Sequence, residues 1–244
     1  MQMGFTVAFA ILSVAALGQE SSAGLVIFDF TAQPGNQAFQ IPTVVATHVT
    51  ATNLIRGNGL TASGAANSFS SSGWSPSDAD DYVEFGLTVE HGYRANLTTL
   101  KFASRSSGTG PGTMALQSSR DGFGSNLLVW NQLNTADANI LADLSGLGDQ
   151  TGSLHFRIVA LPGPSASGGS LSGAGTWRIG TTTTPGNTNF MLLEGTVSQL
   201  ANVPEPSSIL LLSLSSIGLA ARGLSYRSDR RRPTIGSQKV GQIH

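Results

Sequence analysis

Hydrophobic and polar residues alternate along much of the middle of the chain, from residue 24 to about residue 202. The clearest stretch is Tyr82–Val89, where every second residue from Val83 onward is apolar and the intervening residues are polar or small. A period of two places successive side chains on opposite faces of a β-strand. Similar or shorter apolar stretches predict further strands at Leu25–Phe30, Leu100–Ala103, Thr113–Ser118, Leu127–Trp130, Leu154–Val159, Thr176–Ile179 and Phe190–Val197.

Turn-forming residues separate these stretches. Residues 105–112 (RSSGTGPG) and 161–175 (LPGPSASGGSLSGAG) are rich in Gly, Ser and Pro, which supply the backbone angles that tight turns need. About eight short strands with turns between them predict an all-β fold, an antiparallel two-sheet β-sandwich of the jelly-roll type. A parallel α/β fold is disfavoured because the crossover helices are missing.

One segment of the middle region has a helical pattern. It is Thr135–Leu144 (TADANILADL), in which Thr135 has the chemistry of an N-cap. We predict a helix here, with a long loop over an edge of the sandwich as the alternative.

The N-terminus differs in character from the middle. Residues 1–18 are apolar and carry no charged side chain, and small residues follow them. This order is typical of a secretory signal peptide, so we predict a helical signal over residues 1–23, cut between Ala23 and Gly24. The body would then be residues 24–202. A cut after Gly18 and a buried first helix are the alternatives.

The C-terminus has three parts in a fixed order. Val203-Pro204-Glu205-Pro206 comes first, and its prolines favour extended backbone that an enzyme can grip. A hydrophobic helix is predicted next, as a transmembrane segment at 207–224, although Ser207–Ala221 spans only about 22 Å of the roughly 30 Å hydrocarbon layer. A basic cluster follows, which the positive-inside rule keeps in the cytoplasm. Its members are Arg227, Arg230, Arg231 and Arg232.

These three parts together resemble the PEP-CTERM sorting signal of Gram-negative bacteria. The resemblance implies that an exosortase recognises Pro204, Glu205 and Pro206 in the signal at 203–232, cleaves near them and passes the protein outward. It also implies that Arg230–Arg232 act as a cytoplasmic stop and that membrane anchoring is transient. The chain departs from the usual pattern by continuing into a tail at 233–244. A plain membrane anchor is the alternative.

The body resembles, more loosely, the β-sandwich ectodomains of such proteins. The resemblance lies in the stretches ATNLIRGNGL, YVEFGLTV, SSRDGFGSNL and FMLLEGTV. It implies a lectin-like jelly roll with an unspecified ligand, and it does not imply an enzyme.

Composition excludes several kinds of function. The chain has no cysteine, so it has no disulfide, no thiolate metal site and no cysteine nucleophile. The predicted body at 24–202 contains seven basic and eleven acidic side chains. An acidic body lacks the basic surface that a nucleic-acid binder needs.

Catalytic motifs are missing from the sequence. It contains no HExxH, GxSxG or P-loop pattern. His155 and Arg157 fall on the outer face of a predicted strand, where alternating polar residues are the usual state of a solvated sheet. We therefore expect that the protein is not an enzyme, with a secreted hydrolase as the minor alternative.

Two groups of residues are candidates for ligand contact. Asp78, Asp80 and Asp81 lie in an oxygen-rich loop that could bind Ca²⁺, although solvated turns have the same composition. No other cofactor is predicted. Trp74 and Trp177 could stack on sugar rings, although tryptophans of β-sandwiches usually lie in the core.

Together these features predict an exported protein of the cell surface or the extracellular matrix, with a structural or interaction role in a biofilm. Its expected partners are an exosortase, the membrane and an exopolysaccharide, with no role for nucleic acid. The alternative is a carbohydrate-binding module that holds exopolysaccharide.

Overall fold

The computed structural model describes residues 23–132, 134, 136–180 and 189–201, which form an all-β structure of two sheets. The first sheet contains β1 (Ala23–Asp29), β2 (Pro34–Gly35), β4 (Val44–Val45), β7 (Thr61–Ala62), β8 (Ser68–Ser72), β10 (Tyr93–Ser106), β13 (Ala138–Asp143), β14 (Asp149–Gln150), β16 (Trp177–Ile179) and β17 (Phe190–Gln199). The second contains β3 (Phe39–Gln40), β5 (Val49–Ala51), β6 (Leu54–Arg56), β9 (Tyr82–Val89), β11 (Thr113–Ser118), β12 (Asn126–Asn131) and β15 (Gly152–Ala160). Two 3₁₀ turns, Ser119–Asp121 and Ser145–Leu147, connect strands.

Strand β10 is the centre of the first sheet. It pairs with β17 through residues 93–101, with β16 through residues 104–106 and with β13 through residues 99–104. The sheet order is β2-β8-β16-β10-β17-β1-β4, with β7, β13 and β14 as side pairings. Only β2 and β8 run parallel among the described pairs.

The second sheet has the order β12-β11-β15-β9-β6-β3, and β5 also pairs with β9. Its two central strands, β15 and β9, pair antiparallel over eight residues each, from Gly152–Val89 to Val159–Tyr82. This register matters for function because it decides which outward-facing side chains of the two strands are neighbours.

The inward-facing residues of both sheets form one hydrophobic core. Phe28 of β1 packs edge-to-face on Phe85 of β9 with ring centroids 6.1 Å apart, and Phe102 of β10 packs in the same way on Trp130 of β12 at 5.8 Å. Because these pairs join one sheet to the other, the described residues form a β-sandwich.

The predicted all-β, two-sheet architecture is confirmed. The strands predicted at Tyr82–Val89 and Thr113–Ser118 have the same bounds in the structure. The jelly-roll assignment stays a prediction, and the two flanking helices lie outside the described residues. The part of the chain that is described contains no helix of the length and hydrophobicity needed to cross a membrane.

The helix predicted at Thr135–Leu144 is wrong, because β13 occupies Ala138–Asp143 and pairs with β10. Ile140 and Ala142 are buried whereas the residues next to them are exposed, so the period is two. Ala and Leu gave this segment a helical appearance, but pairing with β10 outweighs such weak propensities.

Candidate functional site

Several residues singled out in the sequence lie at the ends of the chain. Val203–Pro206 and the arginines at 227 and 230–232 lie outside the described residues. The predicted signal-peptide cut falls at the first residue of β1, where Ala23 pairs with Gly195. The cut itself stays a prediction.

Trp74 and Trp177 are core residues, with only 2 % and 0 % of their surface exposed. Their rings meet edge-to-face with centroids 5.5 Å apart. Each indole N–H is also satisfied internally, since Trp74 donates to the carbonyl of Ser71 and Trp177 donates to Oε1 of Gln132, both at 3.0 Å. The prediction that these tryptophans stack on sugar rings is therefore wrong.

The aspartates of the 78–81 loop stabilise a turn. Asp81 is buried, and its Oδ2 accepts a hydrogen bond from the backbone N–H of Ser75 at 2.6 Å. The Asp80 N–H donates to Oδ1 of Asp78 at 3.0 Å. Burial raises the pKa of the Asp81 carboxyl, and the nearby charges of Asp78 and Asp80 raise it further, against the effect of the Ser75 hydrogen bond.

This arrangement does not support the calcium hypothesis. Within the described ranges, no three His, Cys, Asp or Glu side chains are grouped so that they could hold a metal ion. The hydrogen bond between Asp81 and Ser75 instead joins the two ends of the loop. It fixes the position of loop residues that line a surface cleft.

A polar network crosses the outer face of the second sheet. Arg157 of β15 lies directly opposite Glu84 of β9, and its Nε donates to Glu84 Oε2 at 2.7 Å. His155 Nδ1 lies 3.3 Å from Glu84 Oε1. The outward placement of His155 and Arg157 agrees with the alternation in the sequence, whereas Glu84 was missed, because its partnership depends on the register of β9 and β15.

The Arg157 guanidinium lies against two aromatic rings. Its central carbon is 3.8 Å from the centroid of the Tyr82 ring and 4.1 Å from that of Phe123. With Nε bonded to Glu84, these contacts fix the plane of the guanidinium. Arg157 is thus a preorganised donor rather than a freely moving surface arginine.

Phe123, whose ring lies against Arg157, has an unusual backbone conformation. Its φ is +64°, in the left-handed region that bulky residues rarely adopt. The residue follows Gly122 at the end of a 3₁₀ turn, and its N–H donates to the carbonyl of Ser118 at 2.9 Å. The glycines on either side of Phe123 indicate a turn, but nothing in the sequence indicates that Phe123 itself is left-handed.

Arg157 and Phe123 border a cleft of about 370 Å³. This volume lies within the roughly 300–1,000 Å³ of small-molecule sites. The other lining residues come from the 75–81 loop, from β11 and from the end of β15: Ser75–Ala79, Asp81, Gln117 and Val159–Pro162. The cleft therefore combines carboxylate, guanidinium and amide groups with an apolar surface.

Hydrogen-bonding capacity remains free in this cleft. Among the described residues, neither terminal amino group of Arg157 has an acceptor, because the Glu84 bond uses only Nε. The Gln117 side chain donates to Asn126 Oδ1 at 3.0 Å through Nε2, which leaves its Oε1 available. Both oxygens of Glu84 are already engaged by Arg157 and His155, so they do not compete for a ligand. The free groups of Arg157 and Gln117 can therefore bind a polar ligand.

A second cavity, of about 510 Å³, lies beside the β9–β10 hairpin and is lined by residues 89–93, 151, 152 and 200. Glu90 and Tyr93 of this hairpin both contact His48. The imidazole stacks on Tyr93 with ring centroids 3.6 Å apart, and its Nδ1 lies 2.7 Å from Glu90 Oε2. We assign the candidate site to the first cleft, where a fixed guanidinium has free donors.

Comparison with protein families gives a match at the C-terminus. Residues 202–227 match the PEP-CTERM protein-sorting motif. The match contains Val203–Pro206 and ends at Arg227, so the chain carries this sorting motif, which indicates an exported protein processed at the membrane. Arg230–Arg232 lie beyond the matched residues. No curated protein sequence matches the chain.

Among solved structures, the chain is similar to family 29 carbohydrate-binding modules. One point mutant is 12 % identical with a TM-score of 0.36, and the match covers 71 % of this chain and 93 % of that chain. Another mutant, complexed with mannohexaose, is 12 % identical with a TM-score of 0.35 and coverages of 71 % and 92 %. No correspondence between residues follows from a likeness this low.

Proposed function

We propose that this chain, which carries the PEP-CTERM sorting motif, is an exported protein of the cell surface or extracellular matrix that an exosortase-type enzyme processes. The match at residues 202–227 carries this proposal. In it, the enzyme recognises Pro204-Glu205-Pro206, residues 207–224 hold the protein in the membrane transiently, and Arg227 and Arg230–Arg232 stay in the cytoplasm of a Gram-negative-type bacterium.

The described strands are compatible with removal of both ends. The last strand, β17, ends at Gln199, so a cut near Val203–Pro206 leaves every described strand pairing in place. A cut between Ala23 and Gly24 removes only the first residue of β1 and its pairing with Gly195. The processed product would therefore keep its core.

Intact mass of the protein recovered from the surface and medium of the native host tests the proposal. We expect a mass that begins near Gly24 and ends near Val203–Pro206, with or without an added group. Replacing both Pro204 and Pro206 by Ala should leave the C-terminus uncleaved, because the extended backbone is lost. Pro233→Ala, which lies beyond the matched residues, is the matched control. A wild-type mass that retains Arg230–His244 would contradict processing.

A second candidate function, for the folded body, is polysaccharide binding without catalysis. The observation that favours it is the cleft on the outer face of the second sheet, where free hydrogen-bonding groups meet an apolar wall. Sugars need both kinds of contact, since their hydroxyls form hydrogen bonds and their C–H faces pack on apolar surface. The missing catalytic motifs support a binding role rather than a hydrolytic one.

Affinity gel electrophoresis of the full chain in gels that contain soluble polysaccharides tests this function. We expect at least one polysaccharide, including exopolysaccharide from the native host, to slow the chain relative to a non-binding marker protein. If no polymer of the panel changes the mobility, the binding function is wrong. Release of reducing sugar during the assay would instead favour a hydrolase.

A further inference from the structure

We infer that the polysaccharide bound by this chain is uncharged, and that Arg157, Gln117 and Phe123 bind it in the cleft beside the 75–81 loop. This inference rests on the polysaccharide-binding function proposed above. It adds the ligand class and the residues that recognise it.

Arg157 is the main donor of the site. Its Nε is bonded to Glu84 and its plane is fixed against Tyr82 and Phe123, whereas its terminal amino groups have no acceptor in the described part of the chain. A side chain that is already ordered loses little entropy when a ligand binds. Two parallel N–H donors of a planar guanidinium also match neighbouring hydroxyl oxygens on a sugar ring, since both can be bonded at once.

The charges of the cleft favour an uncharged ligand. The positive charge of Arg157 is balanced by Glu84, and the carboxylates of Asp78 and Asp81 also line the cleft. A polyanion would approach these two carboxylates and be repelled by them. The ammonium groups of a polycation only donate hydrogen bonds, so they cannot accept from the Arg157 donors. A hydroxyl group both donates and accepts, so it can bond the Arg157 donors and the Gln117 carbonyl oxygen alike. The apolar wall at Val159–Pro162 can cover the C–H face of the ring.

The backbone of Phe123 is an independent indication of function. Glycine adopts a φ of +64° freely, whereas phenylalanine in that conformation is strained. The ring lies on Arg157 and borders the cleft, with part of its surface exposed. Strained residues with their side chains at a ligand-sized cleft are typical of binding sites. At such a position the ligand contact of the side chain explains why the residue is not the glycine that the turn would favour.

The test compares three variants of the full chain in affinity gels with a neutral glucomannan, alginate as polyanion and chitosan as polycation. Arg157→Lys keeps the charge but not the planar pair of donors. Phe123→Gly removes the ring and also the strain of the left-handed backbone conformation. Arg94→Lys is the matched control, because Arg94 is an exposed arginine of the first sheet that pairs with Asp149 at 2.8 Å.

We expect the neutral polymer to bind most tightly and the Arg157→Lys chain to bind it roughly tenfold more weakly, as for the loss of a hydrogen bond to a charged group. Phe123→Gly should weaken binding by a similar factor while its unfolding temperature stays equal or rises, an effect that a purely structural role of the ring would not produce. Arg94→Lys should bind like the wild type.

Two results would overturn the inference while leaving polysaccharide binding in place. One is tighter binding of alginate or chitosan than of the neutral polymer. The other is unchanged binding by folded Arg157→Lys and Phe123→Gly chains. If the wild type binds none of the polymers and no host exopolysaccharide, the proposed binding function fails, and the inference fails with it.

Discussion

Replacing Gln132 by methionine (Gln132→Met) is expected to destabilise the sandwich by about 4 kcal/mol, because it leaves three buried donors without an acceptor. The Oε1 of Gln132 accepts from the Ser104 hydroxyl at 2.7 Å and from the indole N–H groups of Trp130 and Trp177 at 3.0 Å each. Its Nε2 donates to the Ser104 carbonyl at 3.1 Å. Gln132 is only 1 % exposed, so water cannot replace these bonds.

Chemical denaturation monitored by tryptophan fluorescence measures this effect. Gln199→Met, at the exposed end of β17, is the matched control and should change the free energy of unfolding by less than about 0.5 kcal/mol. Trp177→Phe removes one of the donors, so the double variant Gln132→Met/Trp177→Phe should lose less than the sum of the two single losses. Strict additivity, or a loss below about 1 kcal/mol for Gln132→Met, would show that the network contributes little.

The long strands could be predicted from sequence because one face of each is buried. In Tyr82–Val89 the inward positions are buried and most of the outward ones are partly exposed, and the structure gives the strand the predicted bounds. The pattern fails for Thr135–Leu144, where only six residues pair and their composition favours a helix in isolation. Short segments contain too few periods to separate strand from helix.

The short strands between residues 34 and 62 could not be predicted from the sequence. Strands β2 to β7 each contain two or three residues, and most are fixed by hydrogen bonds to distant strands rather than by their own pattern. The parallel pairing of β2 with β8, for example, joins Pro34 to Ser68. Local sequence carries no signal for such contacts, because the partner strand provides the stabilisation.

The candidate site was only partly predictable for the same reason. The outward placement of Arg157 follows from alternation within β15, but its contact with Glu84 needs the register between β15 and β9. Trp74 and Trp177 were the candidates for stacking on sugar rings, yet both lie in the core. The ring that does border the cleft belongs to Phe123, whose position depends on a left-handed turn.

Arg56→Ala is expected to destabilise the protein by about 4 kcal/mol, because this arginine ties the two sheets together at one edge. Arg56 belongs to β6 of the second sheet. Its guanidinium donates to the carbonyls of Gly35, Gln37 and Ser70 at 2.6–2.8 Å, and Gly35 and Ser70 lie in the first sheet. It also lies 3.7 Å from the centroid of the Phe69 ring.

No carboxylate in the described ranges forms an ion pair with Arg56. Its charge is stabilised by backbone carbonyls, by the Ser71 hydroxyl, which accepts from Nε at 2.9 Å, and by the Phe69 ring. Burial lowers the pKa of Arg56 to about 10, and the group is therefore still charged at neutral pH. Because the three nitrogens of the guanidinium bind acceptors that the single nitrogen of a lysine cannot span, Arg56→Lys should recover less than half of the loss. The exposed Arg94→Ala is the control, with an expected change below about 1 kcal/mol.

Arg56→Met separates the hydrogen bonds from the packing on Phe69, because methionine fills similar space without donors. If the bonds dominate, Arg56→Met and Arg56→Ala should lower the free energy of unfolding by similar amounts in urea denaturation. Both should also speed proteolysis within residues 34–62, whose short strands depend on contacts across this edge. A Met variant as stable as the wild type would mean that packing on Phe69, and not the hydrogen bonds, stabilises this edge of the sandwich. The carbonyls of Gly35, Gln37 and Ser70 would then have to accept hydrogen bonds from water instead.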